Sequence, residues 1–468
     1  MSFVIYDLET SGLEPQWNVP LQAAMIHTDA ELKPLGELSL RCRLPAHIVP
    51  APGALLTTGL RPEQLEQAPL SCCEMLGTIA RALQAWAPAT VIGYNTLKFD
   101  EEMLRHAFFT HLMPPYATSL SGHRRADLLT MVRAVAMLEP DALTIPLNGM
   151  GKPSFKLGDI CRANGIALSE DEAHDAMADT RATLALLHHL REVAPTTVAT
   201  MFALADKGMP SRMLASRRVV LLGGVSKLTP VVGVTSNPEV ATSWAAVDLT
   251  VDPADYLDLP IDEIVALFSA RGVRPIRTVK TNAQPILIGY EQGCHALPDD
   301  QRDFALYHER AIRIGEHAGF RGHLAAAMLA RFADREPSPH HEATLYARGF
   351  LSNDDARACA RWHASPWDQR LEIAAAFSDE RLKAFANRLT LMEAPQSLSP
   401  LAWQKGQAWL RERLMTQADV PWLTIPRAMA EVATLRQTLP NDEAARHALL
   451  DAIERWLGER GRFFQLAA

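Results

Sequence analysis

The sequence is short of the features that define several broad classes. No apolar run approaches the roughly 18 residues needed to cross a bilayer. Basic residues are not in excess, since 46 Lys+Arg stand against 54 Asp+Glu for a formal charge of −8. That balance argues against a protein that coats DNA and leaves room for a local basic channel. Cysteine is scarce, and Cys42, Cys72, Cys73, Cys161, Cys294 and Cys359 show no C-x-x-C pairing. Neither a disulfide framework nor a thiolate zinc site is expected. The opening residues MSFVIYDLETSG have no basic stretch and an acid at position 7, unlike a secretory signal. A reduced, cytoplasmic protein without membrane contact is expected. Repeats and low-complexity tracts are also missing. What is present, 48 % hydrophobic and 21 % charged residues, is an ordinary globular composition. At roughly 100–200 residues per domain the length suggests about three domains.

Residues 2–8 form a short β-rich apolar run, and 20–28 and 35–43 read as two further strands joined by the polar turn Thr28–Glu31. Helical spacing covers 71–86, with Cys72 and Cys73 as buried thiols and Pro88 as the stop. A strand at 89–95, helices at 99–109 and 127–138, a Pro/Gly-rich loop at 139–155 and a helix at 171–192 follow. This order is that of an RNase H-like α/β layer. Residues 219–259 and 276–290 have the broken Val/Ile/Leu/Thr runs of a small β domain, and the chain turns helical from about 300. Prolines at 195, 337 and 339 mark the junctions, giving expected domains at 1–194, 195–344 and 345–468.

Chemistry concentrates in the first section. Asp7 and Glu9 are two apart on one strand, so both side chains leave the same face. Paired hard oxygen ligands on a rigid strand suit Mg²⁺ or Mn²⁺. An Asp-x-Glu triplet by itself arises by chance about once in a chain this long, but this one ends a run that reads as a buried central strand. Asp100 begins a helix, either as a first-turn acid complementing the helix dipole or as a third ligand. His174 and Asp179 lie in EAHDAMADT. Five helical residues turn the chain by about 500°, so the two share a site only if His174 precedes the helix. Asp175 is the rival to Asp179, because the two are four apart and share a helix face. Together these groups read as a two-metal phosphodiester hydrolase. Two divalent ions about 3.5–4 Å apart would serve, one generating hydroxide and the other stabilising the leaving 3′ oxygen. His174 is the candidate general base.

The segments YDLETSG (6–12), GYNTLKFDEE (93–102) and HDAMAD (174–179) resemble the DEDDh branch of the 3′→5′ exonuclease superfamily. PGALLTTGLRPEQ (52–64), PSFKLGDICRANGI (153–166), VKTNAQPIL (279–287) and ARGFLSNDDARA (347–358) resemble its bacterial exodeoxyribonuclease I group, so the likeness runs through all three sections. The resemblance implies an α/β RNase H-like exonuclease domain, an SH3-like domain with a helical extension and an α-helical C-terminal domain, closed as a clamp on single-stranded DNA. It implies processive 3′→5′ degradation to 5′-mononucleotides with Mg²⁺, in DNA repair and recombination. Asp7, Glu9, Asp100 and Asp179 then hold the metals, His174 is the base, and Asp175 is a neighbour only. Glu9 and Thr10 would meet the terminal nucleotide, Thr10 through its backbone. Strand contacts carry over to Arg105, Tyr116, Arg133 and Lys156, the last standing where Arg is expected and losing bidentate phosphate geometry. Leu120 and Glu139 replace an aromatic and an Arg. The resemblance further implies docking on the acidic C-terminal tail of single-stranded-DNA-binding protein, and a monomer is expected.

Charge placement supports a strand path without the resemblance. Residues 207–227, with Arg217 and Arg218, and 271–287, with Lys280, carry several cations and no acid, as a phosphate track would. Tyr116 and Phe99 are candidate stacking platforms, with core packing the alternative for each. His188–His189 and His340–His341 lack zinc partners and read as surface, while Trp362, Trp367, Trp403 and Trp409 read as core. Two rivals remain at this point. One is a 3′→5′ exoribonuclease, disfavoured by the long chain beyond the catalytic section. The other is a silent single-strand-binding scaffold, which has no need of four converging carboxylates.

Overall fold

The computed structural model describes residues 2–167, 175–272, 274–333, 336–347 and 349–466. Its first sheet contains β1 (Ser2–Thr10), β2 (Pro20–Thr28), β3 (Pro34–Arg41), β4 (Ala89–Gly93) and β5 (Arg124–Asp127), in the order β3-β2-β1-β4-β5. β1 is central, antiparallel to β2 and parallel to β4. Central strands are covered on both faces, which is why its sequence is a nearly continuous apolar run. Phe3 and Ile5 enter one core, while Val4, Tyr6 and Leu8 enter the other. The helix Ala176–Val193 lays Ala176, Met177, Leu184 and Leu187 into the core that holds Phe3 and Ile5. The helix Cys72–Ala85 fills the opposite side with Met75, Leu76, Ile79 and Leu83. It starts on a reciprocal capping box, in which Ser71 Oγ accepts from Glu74 N–H and Glu74 Oε2 accepts from Ser71 N–H.

The second sheet contains β6 (Val220–Gly223), β7 (Leu228–Ser236), β8 (Ser243–Asp248), β9 (Ile276–Lys280) and β10 (Leu287–Gly289) in the order β10-β6-β7-β8-β9. Every neighbouring pair is antiparallel. Both of its faces carry buried residues, Leu221 and Val247 on one and Val231 and Ala246 on the other, and these are continuous with the core around Phe3 and Ile5. After residue 353 the chain is helical, with helices at Asn353–Ala364, Trp367–Ala375, Glu380–Glu393, Pro400–Met415, Ile425–Thr438 and Ala444–Leu466. Leu410, Leu414, Val432 and Leu457 from the last three of these join the core beneath Val4 and Leu8. Polar ties fix the same junction: Gly53 N–H donates to Glu431 Oε1 at 2.9 Å and Trp456 Nε1 to Glu66 Oε1 at 2.6 Å.

Three expectations change. β5 has no counterpart among the expected strands. Trp362 is buried, but Trp403 and Trp409 are 42 % and 38 % exposed. His340 is half-buried, its ring 5.6 Å from Trp17 and 5.1 Å from Trp422, because the chain crosses between sections there.

Candidate active site

The register of the first sheet creates the site. β4 pairs with β1 only over Ser2–Ile5, so Asp7 and Glu9 project past the carboxyl end of β4. In open α/β sheets this edge is where ligands are received, because the chains peel away there and leave a crevice. β4 must turn sharply at Gly93. A Cβ at that position would lie 2.2 Å from Thr96 Cγ2 and 2.5 Å from the Tyr6 carbonyl oxygen. Asn95 then takes a left-handed backbone conformation, which its short polar side chain tolerates. The turn ends at Asp100, the first residue of the helix Asp100–Thr110.

One ligand atom each from Asp7, Glu9 and Asp179 lies within 4.8 Å of the others. Asp7 and Glu9 share the Phe3/Ile5 face of β1, and the helix packed on that face carries Asp179 from its first turn. Asp100 lines the same cavity of about 1320 Å³, together with Tyr94, Phe99, Phe155 and Lys156. Electrostatics report the crowding. Burial, then the fields of Asp100, Glu9 and Asp179, push the Asp7 carboxyl well above its ordinary range. Burial, followed by Asp179 and Asp100, pushes Glu9 up to about 8. Asp100 is pushed up to about 7, chiefly by burial, against a stabilising hydrogen bond from the Leu8 backbone. Like charges gathered in a partly dry cleft are costly unless a cation joins them.

Comparison with known proteins gives the family. Residues 4–187 match the family described as Exonuclease, and residues 340–460 match the Exonuclease I C-terminal domain. Exodeoxyribonuclease I of Haemophilus influenzae is 30 % identical over 412 residues, covering 81 % of this chain and 84 % of that protein. The chain belongs to the exodeoxyribonuclease I family. Exodeoxyribonuclease I of Escherichia coli is 27 % identical over 442 residues, covering 88 % and 89 % of the two chains. Exonuclease I from Methylocaldum szegediense superposes with a TM-score of 0.87 at 26 % identity, over 98 % of this chain and 99 % of that one. The E. coli enzyme in complex with a dA16 oligonucleotide gives 0.87 at 25 % identity over the same shares.

In this exodeoxyribonuclease I relative the ambiguity between Asp175 and Asp179 has a geometric answer. Asp175 caps the helix by accepting from Met177 N–H, accepts from Gln22 Nε2 at 2.8 Å and lies 3.8 Å from Arg41. It lines a different cavity, with Ser39 and Gln64. Only Asp179 stands with Asp7 and Glu9. His174 lies outside the described residues.

The expected strand contacts are distributed unevenly. Lys156 is exposed on the cavity wall, and Thr10 is buried with its hydroxyl donating to the Gly12 carbonyl at 2.9 Å. The Arg133 guanidinium lies 5.5 Å from the Phe155 ring centroid. Arg105 is engaged within the protein. It donates to Glu101, Glu102 and the Tyr346 hydroxyl and lies over the Tyr116 ring at 5.3 Å. Arg217, Arg218 and Lys280 are exposed on the second sheet's section. Phe99 lines the cavity and also packs on the core.

Sequence reading missed Asp127. It is buried, and its carboxylate accepts from Asn95, Leu97 and Leu129 N–H while its own N–H donates to Gln284 Oε1 at 2.6 Å. Asp127 thus fixes the turn that delivers Asp100. The available signal was an Asp before an apolar helix, an N-cap pattern. Tyr94 was missed as well. Its hydroxyl donates to the Phe155 carbonyl at 2.6 Å and closes one wall of the cavity.

Proposed function

We propose that this chain, an exodeoxyribonuclease I family member, removes nucleotides processively from the 3′ end of single-stranded DNA at the Asp7–Glu9–Asp100–Asp179 cluster. The products are 5′-mononucleotides and the metal is Mg²⁺. The convergence of Asp7, Glu9 and Asp179 within 4.8 Å carries this reading. A polyanionic substrate does not enter a carboxylate cluster unless cations stand between them. The donors are all hard carboxylate oxygens, which fits divalent Mg²⁺ or Mn²⁺ better than a softer metal. Bound there, a pair of divalent ions supplies a hydroxide near neutral pH and positive charge beside the leaving 3′ oxygen.

Asp7 and Glu9 would hold the metals from β1, Asp179 from the helix on its face, and Asp100 from the first turn of its own helix. His174 precedes the N-cap of that helix and takes the proton of the attacking water. Glu9 and Thr10 receive the terminal nucleotide, and Lys156 offers a single ammonium to a phosphate. Arg133 and Tyr116 line the approach, and Arg105 holds Tyr116 in place through its cation–π contact. Arg217, Arg218 and Lys280 give the strand an electrostatic track. The division at 194 and 344 follows the change from the first sheet to the second and then to helices. The enzyme acts as a monomer in DNA repair and recombination, and it docks the acidic tail of single-stranded-DNA-binding protein.

A time course with 5′-labelled single-stranded DNA, duplex DNA and RNA, each with and without Mg²⁺, tests the reading. A ladder shrinking from the 3′ end on single-stranded DNA alone, and only with metal, is expected. Equal degradation of RNA would make the protein an exoribonuclease, and binding with no cleavage would make it a scaffold.

A further inference from the structure

The edge strand β5 receives two ties from the second sheet's section, and both lead to the turn that delivers Asp100. No strand lies beyond β5, and the Asp127 N–H finds its acceptor in a side chain of the other section, Gln284 Oε1 at 2.6 Å. Gln284 lies in the loop between β9 and β10 and is 1 % exposed. The other end of its amide, Nε2, donates to the Met201 carbonyl at 2.9 Å. Its backbone sits in the left-handed region at φ 46°, which a residue with a Cβ seldom takes. Glycine would adopt that conformation without strain. What glutamine adds at this position is an amide bonded at both ends.

The second tie runs beside the first. Arg125, two residues before Asp127, donates from Nη2 to the Asn282 carbonyl of the same loop at 3.1 Å and from Nη1 to Glu101 Oε1 at 3.0 Å. Glu101 is buried, directly follows Asp100, and its N–H donates to the Thr96 carbonyl at 2.9 Å. Asp127 in turn accepts from Asn95 and Leu97 N–H. The loop thus holds both ends of the turn, Asn95–Leu97 through Gln284 and Asp127, and Glu101 through Arg125. It is itself anchored, because the buried Thr281 donates its N–H to the Thr242 carbonyl at 2.8 Å and accepts from Ser211 Oγ at 3.1 Å. Asp100 needs such support, since it faces other carboxylates across a partly dry cleft and their repulsion favours displacing it. Groups that orient a ligand from behind set metal affinity nearly as strongly as the ligand does.

We propose that Gln284 is a positioning residue for the metal-binding carboxylate Asp100, so that the middle section completes the metal site from outside it. The proposal deepens the exonuclease reading and rests on it. It gives the section that carries Arg217, Arg218 and Lys280 a second task, separate from contact with the strand.

The test uses the full chain and three variants. Gln284→Met keeps the side-chain length and removes both hydrogen bonds. Gln284→Glu, neutral in so buried a place, keeps an acceptor for Asp127 and a donor for Met201. Arg125→Lys keeps a cation beside Glu101 and loses the bridge to Asn282. Mn²⁺ binding without DNA is followed by the electron paramagnetic resonance signal of the free ion. Values of kcat and KM are measured on a 20-nucleotide oligo(dT) with Mg²⁺, and affinity for the same oligonucleotide in EDTA. Gln284→Met should weaken Mn²⁺ binding and lower kcat, each about tenfold or more, with KM and EDTA affinity within about twofold of wild type. Gln284→Glu should recover most of both losses. Arg125→Lys should move the same two quantities in the same direction by less, and it carries the test if Gln284→Met does not fold. Mn²⁺ binding and kcat at the wild-type level in the folded variant would overturn the proposal. So would oligo(dT) affinity falling as far as kcat, which would mark a strand contact or general loss of structure. A wild-type chain that binds Mn²⁺ but cleaves nothing would refute the exonuclease reading instead, and the Mn²⁺ titrations would still decide the role of Gln284.

Discussion

Replacing Glu9 by Gln should make the metal-free protein more stable at alkaline pH. In the folded chain this carboxyl sits at about 8 against an ordinary 4.5, raised by burial and then by Asp179 and Asp100. The folded state therefore binds a proton that the unfolded chain has released. Stability from this group is present below pH about 4.5 and is lost as pH rises toward 8. The full interval corresponds to about 5 kcal/mol. Burial is the largest cause and the rest is shared with Asp179 and Asp100, so about half of the interval, about 2–3 kcal/mol, is assigned to Glu9. A chain of this length unfolds with an entropy of about 1 kcal/mol/K, so the difference appears as about 2–3 °C in Tm. Differential scanning fluorimetry in EDTA should find Glu9→Gln that much above wild type at pH 8 and level with it near pH 4.5. Adding Mg²⁺ at pH 8 should raise the wild-type Tm and move the variant much less, since the neutral amide is the poorer ligand. A variant that melts below wild type at pH 8 and retains the full Mg²⁺ response would refute the carboxylate crowding and the metal assignment together.

Other outcomes follow from particular contacts. His174→Ala should reduce turnover by roughly 10²–10⁴-fold with the melting curve unchanged, measured by single-turnover cleavage. Gly93→Ala forces a methyl group into Thr96 and the Tyr6 carbonyl, so it should lower Tm and cut the cleavage rate together by displacing Asp100; a wild-type rate would show that the turn does not position that carboxylate. Neutralising Arg217 and Arg218 to Ala should shorten processive runs in a trap assay and flatten the salt dependence of binding. Unchanged run lengths would remove the middle section from the strand path.

The first section was legible in sequence because its signals were local and mutually consistent. The apolar run before Asp7 read as a buried strand, and the strand–turn–helix around Asp100 was visible from its composition. β5 was not, because RRAD has no apolar alternation and becomes a strand only through pairing with β4. Nor could spacing choose between Asp175 and Asp179. The choice depends on Gln22 and Arg41, which lie on β2 and β3 and come near only after folding. Trp403 and Trp409 misled composition-based reading because an indole is equally at home in a core and on a binding surface. Arg105 entered through the resemblance as a strand contact, and its partners Glu101, Glu102 and Tyr346, the last far along the chain, become visible only in the fold.

The assignment of the metal-bearing carboxylates is tested most directly by single-turnover cleavage of 5′-labelled single-stranded DNA with Asp179→Asn and Asp175→Asn side by side, binding in EDTA serving as the control. Asp179→Asn should lose cleavage by about 10³-fold or more while still binding the strand. Asp175→Asn keeps a competent helix cap and should cleave within a few-fold of wild type. Cleavage persisting in Asp179→Asn, or silenced in Asp175→Asn instead, would contradict the account.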